Sequence, residues 1–414
     1  MKISVYNYTF YNYTFMNLTK TKIRNIINNI KSTINSCNNK FIKRQNNDNS
    51  KQLDFTDIIF ASSHLVHASS YSISNSHLKI NGKKHISNQA INKRRKNMDI
   101  SLIDDINDNM LDHIYTQHKN TKKYKCRHIA VDGSQLNLNK NLHKDDFLLS
   151  KNKEYCKAKL GSLYDVDKGI PINYHLSDSL NEREILILQL KYVNKGDILI
   201  MDGGYYSEKL IGILIDRGIN FIFRMPSTNL FVQNYNNDNH IFDIFSDNNK
   251  NVKSKIIKYF KNNEDRYLLT NLTNCSTKTL KNNYTLRWDV ETDFRKLKYD
   301  ILYNNIRSRT KKQVLIDVKI LNFISILLGQ IEYACKVKNG CKINSKNTIE
   351  LLYTDLLKLF LYKNMSNENL SKIYGIIGII AITVELIRKN RYYKRRRITP
   401  STKWNIYGNR YCAG

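Results

Sequence analysis

The sequence predicts a mixed α/β protein, a mixed sheet with helices around it, and three observations lead there. Residues 127–133 (RHIAVDG) and 197–204 (DILIMDGG) are short β-rich runs that each reach Asp and then Gly. Residues 182–192 and 207–217 carry helical periodicity beside those runs. From Tyr284 onward the helical period dominates.

The elements follow in chain order. Residues 6–10 and 11–15 both read YNYTF, a local duplication rather than a solenoid repeat. From Met16, Ile23, Ile26, Ile27 and Ile30 stand at helical spacing, and residues 38–51, rich in Asn, Lys and Ser, read as a linker. Residues 55–98 return to a helical pattern in which Ser87 is an N-cap before Ala90 and Ile91, and the segment ends in the basic residues Lys93 to Lys96. A helix-turn-helix-like DNA reader has this form, as does any small basic helical domain, and the charge of the whole chain favours the former. Residues 158–165 and 170–176 flank the turn residues 167–169 and predict an antiparallel hairpin. Residues 219–225 (INFIFRM) predict a strand, and residues 226–283 are Asn-rich and strand-like, with VKSKIIKYF and YLLTNL the clearest β segments. Residues 314–337, 348–362 and 370–388 are candidate helices before a basic tail with YYKRRR at 392–397.

Lys and Arg number 67 against 36 Asp and Glu, a formal charge of +31, which implies a polyanionic partner. The charge is spread along the chain rather than gathered beside an amphipathic anchor, so nucleic acid is favoured over a membrane surface. The longest apolar run, 373–384, is about twelve residues where roughly twenty span a bilayer, and it predicts a buried helix and no membrane association. No secretion signal is evident, and the seven scattered cysteines without a CxxC pair read as reduced intracellular thiols with no structural zinc.

Cutting a phosphodiester with divalent ions requires carboxylates that converge on two hard cations about 4 Å apart. Asp132 and Asp202 each follow an aliphatic run and precede Gly, which predicts two carboxylates at strand ends. The segment 284–298, YTLRWDVETDFRKLK, supplies a third acid. At about 100° per residue, Tyr284, Arg287, Glu291 and Lys298 fall within an arc of roughly 60°. Glu291 is then placed to bind an ion while Arg287 and Lys298 hold phosphate oxygens. Taken alone, the same residues are equally compatible with i,i+4 salt bridges on a solvated helix. Asp293 and Asp300 are alternative acids, but Asp293 points away from Tyr284 and Arg287 by the same arithmetic. Trp288 is expected in the core, with base stacking the other reading; Tyr259 and Tyr267 offer the same choice.

The spacing Y-x2-R-x3-E-x6-K resembles the signature of DDE transposases of the insertion-sequence type, the family often called IS-four. The likeness extends from about Asp54 to Trp404, through Asp-Gly-Ser at Asp132, Asp-x-Gly-Tyr at Asp202, Arg224 after FIF, and YLLTNL before the signature. It implies a ribonuclease H-like catalytic core interrupted by a β-rich insertion, with helical N-terminal and C-terminal regions. Glu291 follows Asp202 by 89 residues, room enough for that insertion. The expected organisation is an N-terminal extension and linker at 1–50, a helical, DNA-binding domain at 51–125, the first part of the core at 126–225, the insertion at 226–283, the second part of the core at 284–340, and a basic helical region at 341–414.

By position, the resemblance implies that Asp132, Asp202 and Glu291 are catalytic ligands for two Mg2+ ions, with Mn2+ able to substitute. It implies DNA contacts by Tyr284, Arg287 and Lys298, with Arg224 and Lys157 as weaker phosphate-contact candidates. The reaction is cut-and-paste transposition acting on inverted-repeat ends and target DNA, with a homodimer on the paired ends, in an intracellular, DNA-associated setting. Many relatives carry Arg after the second Asp, where this chain has Gly203, a departure that bears on activity rather than on the metal ligands. Two alternatives stand beside this reading, a structure-specific ribonuclease H-like nuclease and an inactive, retained DNA-binding protein derived from a transposase.

Overall fold

Aliphatic runs bounded by turn residues build the sheet, and apolar periodicity builds the helices beside it. The computed structural model describes residues 6–43, 53–68, 87–117, 126–178, 181–234, 241–246, 248, 250–261, 263–301, 306, 308–335, 341–362, 364 and 366–386. The N-terminal helices are α1 (Tyr6–Lys43), α2 (Phe55–Ala68), α3 (Asn88–Asn97) and α4 (Ser101–Gln117). Then come β1 (His128–Asn139), β2 (Leu148–Leu149), β3 (Tyr155–Asp165), β4 (Ile170–Ser177), α5 (Glu182–Gln189), β5 (Ile198–Met201), α6 (Glu208–Asp216) and β6 (Asn220–Met225). A short α7 (Leu230–Asn234) leads to β7 (Ile241–Phe245), β8 (Asn251–Lys261) and β9 (Glu264–Thr270). The remainder comprises α8 (Thr277–Thr285), α9 (Trp288–Tyr299), α10 (Lys311–Ala334), β10 (Cys341–Ile343), α11 (Ser345–Leu351), a π turn (Leu352–Leu356), α12 (Leu357–Tyr362), α13 (Asn367–Ile382) and β11 (Val384–Leu386).

The chain divides into two compact units, one of Leu111–Leu136 and Lys159–Lys298, the other of Met1–Met110, Asn137–Ala158 and Tyr299–Gly414. In the first, the strand order is β4-β3-β1-β5-β6-β9-β8-β7. β1, β5 and β6 run parallel, while β4 is antiparallel to β3 and β9 to β6. All four residues of β5 are buried, as expected of a central parallel strand covered on both faces. The mixed α/β class, a large sheet with flanking helices, is the one expected.

The predicted hairpin forms between β3 and β4, closed by Gly169 at φ +68° and by Asp165, whose carboxylate accepts the Asp167 and Lys168 N–H groups. The β-rich stretch continues the same sheet: β9 pairs with β6, β8 with β9 and β7 with β8. Helix begins earlier than the sequence period suggests, at Thr277, because Ser276 accepts the Thr279 N–H as an N-cap. Leu280 and Tyr284 of α8 then pack in one cluster with Ile198, Ile200, Ile222, Ile257 and Leu268 of the sheet.

In the other unit, α10 is long and apolar enough to cross a membrane by length and composition, a feature missed when only unbroken apolar runs are counted. Its most apolar window is 89% buried inside the protein, which marks it as a core helix. Ile23, Ile26, Ile27 and Ile30 of α1 are buried as their spacing predicts, but α1 runs on to Lys43, into the expected linker. The reason is local: Ile34, Cys37 and Phe41 continue the buried stripe, and the Asn38 side chain bonds the Phe55 N–H and the Thr56 hydroxyl.

Ser87 caps α3 as predicted, accepting the Ala90 N–H. The basic end of that helix is not wholly a charged surface, because Arg95 is buried and paired with Asp317, which also accepts from the Ser308 hydroxyl. The expected buried helix at 373–384 is half exposed: Ile373, Ile377 and Ile380 are inside, whereas Ile382 is 78% exposed. It stops at Ile382, where the Thr383 hydroxyl and N–H both bond the Ile379 carbonyl, and residues 384–386 pair with β10 instead of continuing to 388. The YYKRRR tail, Trp404 and Cys412 lie outside the described residues.

Removing one partner of a buried ion pair strands the other, so Arg95→Ala is expected to destabilise the protein by about 3–5 kcal/mol in denaturant unfolding. Arg95→Met with Asp317→Leu should recover most of that loss; parent-like stability of Arg95→Ala alone would contradict the pairing.

Candidate active site

Parallel pairing fixes two acids and a cation side by side. His128, Ile129 and Ala130 of β1 face Ile198, Leu199 and Ile200 of β5, and Met201 faces Phe223 of β6. Continued by one or two residues, these registers set Asp132 level with Asp202, and Asp202 level with Arg224, on strands about 4.8 Å apart. The Arg224 Nη1 lies 3.8 Å from Asp202 Oδ1.

Asp202 stands just beyond β5, as expected, and accepts the Gly203 N–H to start a 3-10 turn. Asp132 does not end its strand but lies inside the twelve-residue β1. Gly133 therefore serves another purpose than a sharp turn. A Cβ there would fall 2.6 Å from Glu182 Oε1 and 2.8 Å from Lys159 Cε, so the missing side chain lets that ion pair lie against β1. Gly203 is likewise fixed by packing: a Cβ there would meet the Arg224 carbonyl oxygen at 2.8 Å. An arginine at 203 has no room on this backbone.

The third acid arrives from a broken helix rather than the continuous one that the 60° arc assumes. The Thr285 hydroxyl bonds the Asn282 carbonyl, and Leu286, Arg287, Asp289 and Val290 donate three residues back, a tight turn between α8 and α9. Arg287 sits in that turn with its side chain 7% exposed. Its Nη2 donates to Glu291 Oε1 at 2.6 Å and its Nη1 lies 3.9 Å from Asp132 Oδ2. The i,i+4 pair weighed as the plain alternative therefore exists, but in a buried setting with a second acid beside it.

Charge ties the group together. Burial alone would weaken the protonated Arg287, yet Tyr284, Glu291, Asp202 and Asp132 raise its pKa above the ordinary value. Burial pushes the Asp132 carboxyl up to about 6; Arg287 and the Gly133 N–H oppose that, while Glu291 and Glu182 add to it. Burial likewise lifts the Tyr284 phenol to about 12. The Lys298 ammonium is pushed down by burial and by Lys159, against the pull of Asp132. Tyr284 Oη and Arg287 Nε are buried without a well-formed hydrogen bond among the described residues.

Asp132, Asp202, Glu291, Tyr284, Arg287, Lys298 and Arg224 thus fall within one unit, whereas Lys157 belongs to the other, paired across from Leu148 of β2. Asp293 is buried and accepts from the Tyr174 hydroxyl. Trp288, expected in the core, is 48% exposed at the start of α9, its ring 5.8 Å from the Arg287 guanidinium. Sequence reasoning missed Lys159, Glu182 and the buried Tyr205, whose phenol is raised by burial and by Glu182 and Asp132. The one available signal was Gly133, since glycine inside a strand marks a close approach.

Residues 123–328 match the model of the transposase DDE domain family. That segment contains Asp132, Asp202 and Glu291. No curated protein sequence matches the chain. In shape, the chain is similar to a piggyBac transposase determined by cryo-electron microscopy as a synaptic complex with hairpin DNA, with 14% identity and a TM-score of 0.39 over 88% of this chain and 84% of that one.

Among the described residues no three His, Cys, Asp or Glu side chains form a ready-made metal-binding group. The donor chemistry of the DDE segment nonetheless fits a hard divalent cation, since its acids offer only oxygen and like charge from Glu291 and Glu182 already opposes ionisation of Asp132.

Because the folded-state pKa of Asp132 is above its ordinary value, folding favours the protonated form. In chelator, stability should therefore fall as pH rises from about 4 to about 6, and Asp132→Asn should remove that component. Identical pH profiles for parent and variant in thermal unfolding would contradict the assignment.

Proposed function

We propose that this chain is a transposase of the insertion-sequence type bearing the Tyr-Arg-Glu-Lys signature, which cuts DNA at the ends of its element and joins them to a target. The convergence of Asp132 and Glu291 on the buried Arg287, with Asp202 in the same field, carries the reading, because it lies in the segment that matches the transposase DDE domain.

Asp132, Asp202 and Glu291 would hold two Mg2+ ions, or Mn2+ in their place, which when bound activate the attacking oxygen and neutralise charge on the leaving one. The chain's own residues do the positioning. Register keeps Asp132 and Asp202 level, and the turn at Leu286 and Arg287 lets Glu291 approach them from α9. Arg287 and Arg224 each lie beside an acid and can turn donors to phosphate oxygens, as can the partly buried Lys298. Tyr284, anchored in the sheet cluster, offers a hydroxyl at the same place. The half-exposed Trp288 would offer its ring to an unpaired base at a distorted end. The high positive charge supplies sequence-independent attraction to DNA, in an intracellular setting. Paired ends require two copies of the chain on DNA.

A plasmid excision assay, using the DNA that borders the coding sequence, tests this. Asp132→Ala and Glu291→Ala should each reduce excision by more than about a hundredfold, beyond the 10–100-fold typical of residues that only support metal ligands. Parent-level excision by both variants would sink the assignment. Cutting without joining would point to the nuclease, and binding without excision to a retained DNA-binding protein.

A further inference from the structure

Among the described residues, Arg287, Arg224, Lys298 and Lys159 lie near the acids, and their commitments differ. Arg287 is held by Glu291 and Asp132, and Arg224 by Asp202, all acids of the triad. Lys298 makes no ion pair among the described residues, although it is partly buried and within the field of Asp132. Lys159 is paired with Glu182, an acid outside the triad, at the first position of α5. The pair is not remote: Glu182 acts on Asp132, and Lys159 acts on Lys298. Both side chains lie against the bare backbone of Gly133, next in sequence to Asp132.

Stability does not account for this arrangement. For side chains only 20% and 26% exposed, desolvation offsets much of the ionic attraction, and Gly133 weakens β1 to make room for the pair. Two ammonium groups that repel one another beside a carboxylate are, by contrast, a seat for a polyoxygen anion. Exchanging the Glu182 carboxylate for a phosphate oxygen leaves Lys159 paired and buries no new net charge, while Glu182, already 26% exposed at the start of α5, can turn to water.

We infer that Lys159, with Lys298, contacts the DNA phosphate adjoining the cleaved bond, and that Glu182 holds Lys159 in place until that phosphate displaces it. This rests on the proposed transposase reading and adds Lys159, two residues along the same strand from Lys157, as a lysine that meets DNA.

The test uses the full chain and a duplex copied from the DNA bordering the coding sequence, with and without one methylphosphonate at the phosphate beside the cleavage position, in Ca2+ so that binding is read without cleavage. Lys159→Ala should weaken binding several-fold, lower the slope of log K against log salt by about one, and shrink the penalty of the methylphosphonate to what Lys298 alone sustains. Lys159→Arg should keep the penalty, and Glu182→Gln should tighten binding. An unchanged slope and an intact methylphosphonate penalty in a folded Lys159→Ala protein would overturn the inference while leaving the transposase reading in place. Failure of the parent chain to bind the duplex at all would count against both.

Discussion

A single buried guanidinium organises the candidate site. Arg287 occupies the turn between α8 and α9, bonded to Glu291 and 3.9 Å from Asp132, with Asp202 close enough to raise its pKa. Placing that many like charges together costs energy unless a cation sits among them, and a group that is never deprotonated in proteins meets the need without a proton. The rest of the unit exists around that placement: α8 is tied to the sheet through Leu280 and Tyr284, and β1 and β5 bring their aspartates level.

Geometry then explains two glycines that sequence comparison alone would misread. At Gly203 a side chain would run into the backbone of Arg224, so this glycine belongs to how β6 approaches the turn after β5. The cation that faces Asp202 is supplied by Arg224 from the neighbouring strand. Gly133 gives the Lys159–Glu182 pair access to the neighbourhood of Asp132, which gives the site a cation with no stake in the triad.

Much of this was legible in the sequence wherever the signal was local. The β3–β4 hairpin followed from its turn residues, the Ser87 cap from helix-start chemistry, and the place of Asp202 just beyond β5 from Asp-Gly after an aliphatic run. What escaped depended on partners distant in sequence. Asp132 reads as a strand end because Gly follows it, but β1 continues since the glycine answers to Glu182 and Lys159 rather than to a turn. The break at Leu286 and Arg287 was invisible to helical arithmetic, which assumes an unbroken helix and does not weigh the Thr285 hydroxyl's bond to Asn282. Alternation makes Lys157 and Lys159 equivalent on a strand, and what marks Lys159 is its contact with Glu182 beside Gly133. Arg95 reads as surface charge until Asp317, far along the chain, is seen to pair with it.

The proposed transposase reading requires Asp132, Asp202 and Glu291 to share one divalent-cation site. Titration of the full chain with Mn2+, followed by loss of the free-ion electron paramagnetic resonance signal, tests it most directly and requires neither DNA nor turnover. Binding by the parent that weakens at least about tenfold, about 1.4 kcal/mol, in Asp132→Asn, Asp202→Asn and Glu291→Gln, and persists in Asp293→Asn, is the expected result. Equal binding by the parent and the three triad variants would contradict it.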